Sequence, residues 1–152
     1  MSRKLIASAL FAVAAFFTAT PSYAAQPPVH TAAFSHVAVS GYDPVAYFTD
    51  GRPVRGNAQF TTAYQGYEYR FASAAHLAQF RASPARYLPQ YGGYCAWAVA
   101  QNRTAPGDPN YWRIVDGKLY LNYNADIQHR WEANIPGFIQ DANRNWPAVL
   151  NH

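Results

Sequence analysis

Two short turn signals, each lying between two runs of strand-forming residues, constrain the fold of this chain more than any other feature. Gln65-Gly66 interrupts such runs within residues 59–71, and Asp116-Gly117 interrupts them within residues 111–123. The flanking runs are rich in aromatic and β-branched residues, and glycine supplies the positive φ that two-residue hairpin turns require. The sequence therefore predicts two antiparallel β-hairpins.

Short helices are predicted after each hairpin. Ser73 can cap one helix and Asn124 another, because a serine or asparagine side chain accepts a hydrogen bond from the first turn. The apolar run Tyr94–Ala100 predicts a buried helix with Cys95 in its first turn. No internal repeat is evident beyond two hairpins that are each followed by a helix. The predicted fold class is α+β, a small single domain with short helices packed on two hairpins.

The first 24 residues are predicted to be a signal peptide. Arg3 and Lys4 precede the run Leu5–Phe17, which is apolar except at one position. A helix of that length, at about 1.5 Å per residue, cannot cross a hydrocarbon core about 30 Å thick. Ser22-Tyr23-Ala24 places small residues three and one positions before a cleavage site, so the mature chain is expected to begin at Ala25.

This prediction sets the expected location and organisation of the protein. We expect export to the periplasm, with secretion as the alternative. Residues 25–39 are interpreted as an extended or flexible leader and residues 40–150 as the globular domain. No later stretch approaches the length of a membrane-spanning helix, so no stable membrane insertion is expected after cleavage.

Composition and charge exclude one class of partner. Apolar residues make up 50% of the chain and charged residues 13%, which is enough apolar surface to bury a core. The formal net charge is +4, but two basic residues belong to the predicted signal peptide and the rest are scattered singly. Without a basic stripe or patch, no nucleic-acid partner is expected.

The sole cysteine, Cys95, is the first candidate functional residue. It has no partner for a disulfide within the chain, although export implies an oxidising compartment. It is therefore a buried filler, a metal ligand or a reactive thiol. The second candidate is His76, in the predicted first turn of the helix after the first hairpin. Thiolate and imidazole together suit copper or zinc.

Two sets of motifs resemble a known family. Residues 69–87, together with Asp43-Pro44-Val45, resemble the YHS domain family. Residues 91–98, followed by 105–109 and 116–124, resemble the exported group called YHS domain-containing (seleno)protein. The resemblance covers residues 40–150.

This resemblance implies metal handling, because cysteine-bearing YHS domains occur beside copper-transporting ATPases and in multicomponent monooxygenases. The chain departs from those versions, since Ala46-Tyr47 and residues 71–76 lack their cysteines. A thiolate-rich site is therefore not expected. Metal binding would depend on His76 and Cys95, with Asp43 as a further candidate ligand.

The sequence leaves three hypotheses about function. The first is a non-enzymatic binding protein for copper or zinc, with Cys95 and His76 as ligands. The second is a thiol-dependent redox enzyme in which Cys95 is the nucleophile and His76 lowers the pKa of its thiol. The third is a scaffold or small-molecule-binding module that uses a set of tyrosines: Tyr42, Tyr47, Tyr64, Tyr91 and Tyr94. The structural alternative is that His76 caps its helix and Cys95 fills space.

Overall fold

The structure is a computed structural model that describes residues 24–152. It contains two separate two-stranded antiparallel sheets with short helices packed on them, which confirms the predicted α+β class. All but the last residue of the predicted signal peptide lies outside the described residues. Along the described chain the elements are α1 Ala46–Thr49, β1 Asn57–Tyr64, β2 Tyr67–Phe71, α2 Ala74–Ala82, α3 Pro84–Tyr87, α4 Ala96–Ala100, β3 Asp108–Val115, β4 Lys118–Asn122, α5 Ala125–Glu132 and α6 Ile135–Asn145, with 3₁₀ turns at Val39–Gly41, Gln90–Gly93 and Ala148–Asn151.

The two hairpins form at the predicted turns. Gln65 and Gly66 have φ values of 50° and 85°, and Asp116 and Gly117 have φ values of 50° and 71°. Positive φ at both central residues matches the right-handed twist of the flanking strands. None of the helices between residues 24 and 152 has the length and hydropathy of a membrane-spanning segment.

Each hairpin begins earlier than the sequence predicts, because its first strand continues beyond an irregularity. The pairing of β1 shifts between Asn57 and Thr61, and that of β3 shifts between Asp108 and Trp112. Such a shift lets extra residues face one partner and bends the strand. The alternating polarity that marks the rest of each strand is lost across this segment. The sequence pattern therefore does not identify the first residues of β1 and β3 as strand.

Both predicted helix caps are confirmed, but one helix starts later than expected. The Ser73 hydroxyl and the Asn124 amide oxygen each accept a backbone N–H from the first turn of α2 and α5. The helix predicted at Tyr94 begins instead at Ala96. Cys95 is therefore the residue before the helix and lies outside its first turn, because its N–H bonds the carbonyl of Ala105 at 2.9 Å.

The domain consists of two structurally similar units, residues 37–88 and residues 89–150, which we call the first unit and the second unit. β1 starts at Asn57 and β3 at Asp108, 51 positions later. The same interval separates the starts of β2 and β4, and of α2 and α5. Three consecutive residues with positive φ open each unit, Val39–Gly41 in the first and Tyr91–Gly93 in the second.

The sequence shows no repeat beyond the two hairpins that are each followed by a helix, whereas the structure extends this similarity to the opening turns and the caps. The two units share few residues at equivalent positions, such as Gly41-Tyr42 and Gly93-Tyr94. They share instead the backbone geometry of their opening turns, hairpins and caps. Different side chains perform the same local task, as Ser73 and Asn124 do at the two caps, so residue comparison alone does not reveal the repeat.

Strand β4 joins the two units. Leu119 and Leu121 pack in one buried core with Val45 and Phe71 of the first unit. Tyr120, between them in sequence, points to the opposite face of the strand and packs in the second core. Strand β4 therefore contributes to the cores of both units, and the two units form a single domain.

The segment before the first unit is extended and lies along the second unit. Its backbone donates to the domain at two points, from Gln26 N–H to the Leu150 carbonyl at 2.7 Å and from His30 N–H to the Gly92 carbonyl at 2.9 Å. The Tyr94 hydroxyl donates to the Pro27 carbonyl at 2.8 Å. Gly92 has a positive φ, and a Cβ there would collide with the carbonyl of the overlying segment. This close approach requires glycine.

Candidate functional site

The first unit encloses a buried carboxylate, that of Asp43. This residue lies between the opening turn and α1 and is 0% exposed. Its Oδ1 accepts the N–H of Val45 at 2.8 Å and of Ala46 at 3.3 Å, while its Oδ2 accepts the N–H of Ala72 at 2.8 Å. An ionised carboxylate only accepts hydrogen bonds, so this ring of donors suits its charged form. Asp43 thereby joins the start of α1 to the end of β2.

The fourth donor to this carboxylate is the ring of His76. Its Nδ1 lies 2.6 Å from the second oxygen of Asp43, and the first turn of α2 is held in place by Ser73. Because a carboxylate cannot donate, Nδ1 carries the proton. The neutral ring then has its lone pair on Nε2. Burial of the pair is nearly complete, with 13% of the His76 side chain exposed.

The Nε2 atom of His76 faces two oxygen atoms at the end of α1. The Thr49 hydroxyl oxygen lies 3.1 Å from it, and an Asp50 carboxylate oxygen lies 3.7 Å from it. The Thr49 hydroxyl also lies 3.2 Å from the Val45 carbonyl and 2.9 Å from Asp50. A hydroxyl has one proton for these three acceptors. When Thr49 donates elsewhere, the Nε2 lone pair is available to a ligand.

Cys95 occupies a different environment, in the second unit. It is 0% exposed, and its thiol lies 3.7 Å from the side-chain oxygen of Asn122. Burial raises the pKa of the thiol, while the nearby backbone N–H groups of Ala98, Tyr123 and Trp97 lower it by smaller amounts. The thiol therefore ionises less readily than a free cysteine.

A small surface cavity of about 190 Å³ borders Cys95. Its walls are mainly apolar, and the guanidinium of Arg103 lies 5.8 Å from the centre of the Trp97 ring. The cavity is also lined by Ala98, Ala105, Tyr123 and Ile127.

Asp43 and Cys95 stand at equivalent positions of the two units. Asp43 N–H bonds the Val54 carbonyl at 2.8 Å, as Cys95 N–H bonds the Ala105 carbonyl at 2.9 Å. The N–H groups around the thiol also match those around the carboxylate. Trp97 and Ala98 lie 52 positions after Val45 and Ala46, and Tyr123 lies 51 positions after Ala72. Ile127 stands where the first unit has His76. The second unit thus keeps the donors without the imidazole.

The structure brings two of the three predicted site residues together, Asp43 and His76. Within residues 24–152, no hydrogen bond or ion pair joins Cys95 to either of them. No group of three or more His, Cys, Asp or Glu side chains is placed to hold a metal ion in this part of the chain. A single ion shared by Cys95 and His76 therefore stays a prediction.

The geometry also bears on the two alternatives. The redox hypothesis needs His76 to lower the pKa of Cys95, whereas burial raises that pKa. The five tyrosines considered for a ligand pocket divide between the two cores, with Tyr42, Tyr47 and Tyr64 in the first and Tyr91 and Tyr94 in the second. Their distribution favours a packing role.

Three residues near His76 and Cys95 are not identified as candidates by the sequence. Thr49 and Asp50 are predicted to be part of a turn, and their approach to His76 depends on how α1 packs. Asn122 reads as an ordinary strand residue. A signal for it exists, because a polar side chain follows three apolar residues in β4, but that pattern is common at strand ends.

Comparison with known proteins identifies one part of the chain. A family model of the YHS domain matches residues 45–91. The matched segment covers most of the first unit, including His76, and ends where the second unit begins. No curated protein and no solved structure matches the chain significantly. The YHS resemblance is confirmed for this segment, and the narrower resemblance to the exported group stays a prediction.

Proposed function

We propose that this protein binds a borderline divalent metal ion, copper or zinc, through Nε2 of His76 in the first unit. The observation that carries the proposal is the 2.6 Å contact between His76 Nδ1 and the buried Asp43 carboxylate. Metal-binding histidines commonly donate their second ring N–H to a carboxylate, which orients the ring and makes the other nitrogen a better ligand.

Asp50 is the second protein ligand in this proposal. Its oxygen lies 3.7 Å from Nε2. A zinc ion lies about 2.0–2.2 Å from each nitrogen or oxygen ligand, so one ion can bridge these two atoms without movement of the backbone. Asp43 is a positioning residue, because its two oxygens already accept four hydrogen bonds.

Such a site is open. Two protein ligands leave coordination positions for water or for groups from another molecule, and structural zinc sites have four protein ligands. The site therefore suits reversible binding or transfer of an ion more than structural support. An imidazole and a carboxylate bind copper(II) more tightly than zinc.

Isothermal titration of the purified chain with copper(II) or zinc salts tests the site. We expect His76→Ala to weaken copper(II) binding at least about tenfold, as loss of a ligand or of its support does. Asp50→Asn should weaken it less. The matched control is His129→Ala, because His129 is an exposed histidine on α5 of the second unit.

The outcomes separate this proposal from the alternatives. Equal affinity in wild type and His76→Ala would reject the site. A loss of affinity in Cys95→Ser equal to that in His76→Ala would restore the shared site predicted from the sequence. We expect Cys95→Ser to bind copper(II) like the wild type.

We also propose that the protein works after export, most simply in the periplasm. The support is the sequence of residues 1–24, with its basic start, apolar run and small residues before Ala25. Metal analysis on chain recovered from a periplasmic fraction, with its N-terminus mapped to Ala25, tests this step. Recovery only of the uncleaved chain from the cell interior would contradict it.

A further inference from the structure

The thiol of Cys95 lies among backbone donors that, in the first unit, hold two carboxylate oxygens. Asp43 receives N–H groups from the first turn of α1 and from the residue after β2. Cys95 has equivalent N–H groups from α4 and from the residue after β4. A thiol presents a single weak acceptor to these donors, whereas a carboxylate presents two strong ones. The N–H groups of Ala98 and Tyr123 therefore face a weaker acceptor than their counterparts in the first unit, Ala46 and Ala72.

A second observation at the same place concerns Asn122. It is 0% exposed, and its side-chain nitrogen has no hydrogen-bond partner among the described residues. Its oxygen contacts the thiol at 3.7 Å and the Trp97 N–H at 3.2 Å. In the first unit the equivalent residue is Phe71, which pairs with Asn57 as Asn122 pairs with Asp108. A buried amide with an unused donor is unfavourable unless an acceptor arrives.

The cavity brings a small reactant next to Cys95. It borders this residue, which is itself 0% exposed, so contact with the thiol requires a slight opening of the cavity wall. Its volume of about 190 Å³ is several times the roughly 30 Å³ occupied by one water molecule in the liquid. Hydrogen peroxide is only slightly larger than water. A cysteine oxidised to sulfinate carries two oxygens on Sγ, in the arrangement that aspartate has on Cγ.

We infer that Cys95 is a site of oxidative modification, at which hydrogen peroxide converts the thiol to sulfenate and then to sulfinate. The product oxygens accept the N–H groups of Ala98 and Tyr123, as the oxygens of Asp43 accept those of Ala46 and Ala72. When the Asn122 amide turns over, its NH₂ group becomes a further donor to these oxygens and the Trp97 N–H is released from the amide oxygen. This inference is independent of the metal site at His76.

The chemistry balances with peroxide as the only oxidant. Sulfur attacks one oxygen of hydrogen peroxide, an S–O bond forms, the O–O bond breaks and sulfur loses two electrons. The departing hydroxide takes up the thiol proton and leaves as water. A second peroxide adds a second oxygen to sulfur in the same way. Because burial raises the pKa of the thiol, the first step should accelerate as the pH rises.

Peroxide treatment of the purified chain, followed by peptide mass spectrometry, tests the modification. We expect residue 95 to be trapped by dimedone at early times and, without dimedone, to gain two oxygen atoms. Asn122→Leu should reduce the trapped sulfenate several-fold. Absence of oxygen at residue 95 would reject the inference, as would an unchanged yield in Asn122→Leu.

A pair of variants tests the donors without any oxidation. Cys95→Asp places a carboxylate where the first unit has one, so we expect it to fold and to unfold at nearly the wild-type urea concentration. Ala96→Asp is the matched control, because Ala96 is also 0% exposed but lies outside this set of donors, and we expect it to unfold. Equal destabilisation of the two variants would show that the donors cannot hold two oxygens.

Discussion

The Asp43 side chain couples local structure to the candidate metal site. Its carboxylate accepts hydrogen bonds from the start of α1, from the end of β2 and from the His76 ring. The same group therefore closes a loop, fixes the end of a hairpin and orients an imidazole. A buried charge is tolerated because every acceptor position has a donor.

The Asp43→Asn variant should lose stability and metal affinity together. The amide turns an NH₂ group toward backbone N–H donors, so at least one buried donor loses its acceptor. We expect the free energy of unfolding to fall by about 2–4 kcal/mol in urea titrations. The control Asp50→Asn should change it by less than about 0.5 kcal/mol, since 34% of that side chain is exposed. Similar losses in both variants would contradict the role of Asp43.

The second unit depends on a close approach between its opening turn, Gly107 and strand β4. Gly107 precedes β3, and a Cβ there would lie 2.7 Å from the Cβ of Leu121 and would collide with the carbonyl oxygen of Gly93. The opening turn of the unit and β4 are held together across this glycine. Gly56 has the same place in the first unit, where a Cβ would lie 2.5 Å from the Arg70 backbone.

The Gly107→Ala variant should be destabilised by this contact. Both neighbours are backbone or Cβ atoms that cannot rotate away, so we expect a loss of about 1–3 kcal/mol in urea unfolding. Gly117→Asn is the control, because nothing lies within 4 Å of a Cβ there and asparagine tolerates positive φ. Wild-type stability of Gly107→Ala would mean that the turn and the strand can separate at little cost.

A repeated backbone framework carries two different polar centres, one in each unit. The first unit has Asp43 and His76, and the second has Cys95 and Asn122, on equivalent turns and strands. The shared features are backbone features, which explains why the units fold alike with few common residues. The side chains at the centre are free to differ, because the N–H groups that surround them do not depend on residue type.

The sequence allowed prediction of the features that depend on neighbouring residues. Turn glycines and the caps at Ser73 and Asn124 act within a few positions, so both hairpins and the start of the following helix were predictable. His76 was a candidate from its residue type and its predicted place on a helix, and Asp43 was added as a possible ligand through the resemblance to the YHS family. Their contact was not predictable, because it joins positions 33 apart through the packing of α2 on β2. The approach of Asn122 to Cys95 likewise depends on the tertiary fold.

The buried phenols and the thiol should make the molecule sensitive to alkali. Burial raises the pKa of Tyr69 to about 12, and it also raises the pKa of Tyr47, Tyr91, Tyr94, Tyr120 and Cys95. These groups stay protonated in the native state while the unfolded chain ionises near its ordinary values of 10.0 and 9.0. The unfolded state then binds fewer protons, so the free energy of unfolding must fall as the pH rises.

We therefore expect thermal unfolding midpoints that are level near neutral pH and decline above about pH 9. Tyr69→Phe should decline less steeply above about pH 10, because one group with a raised pKa has been removed. Phenolate absorbance, recorded beside circular dichroism, should show the buried tyrosines ionising only as the fold is lost. Ionisation of all the tyrosines near pH 10 in a chain that is still folded would contradict their burial.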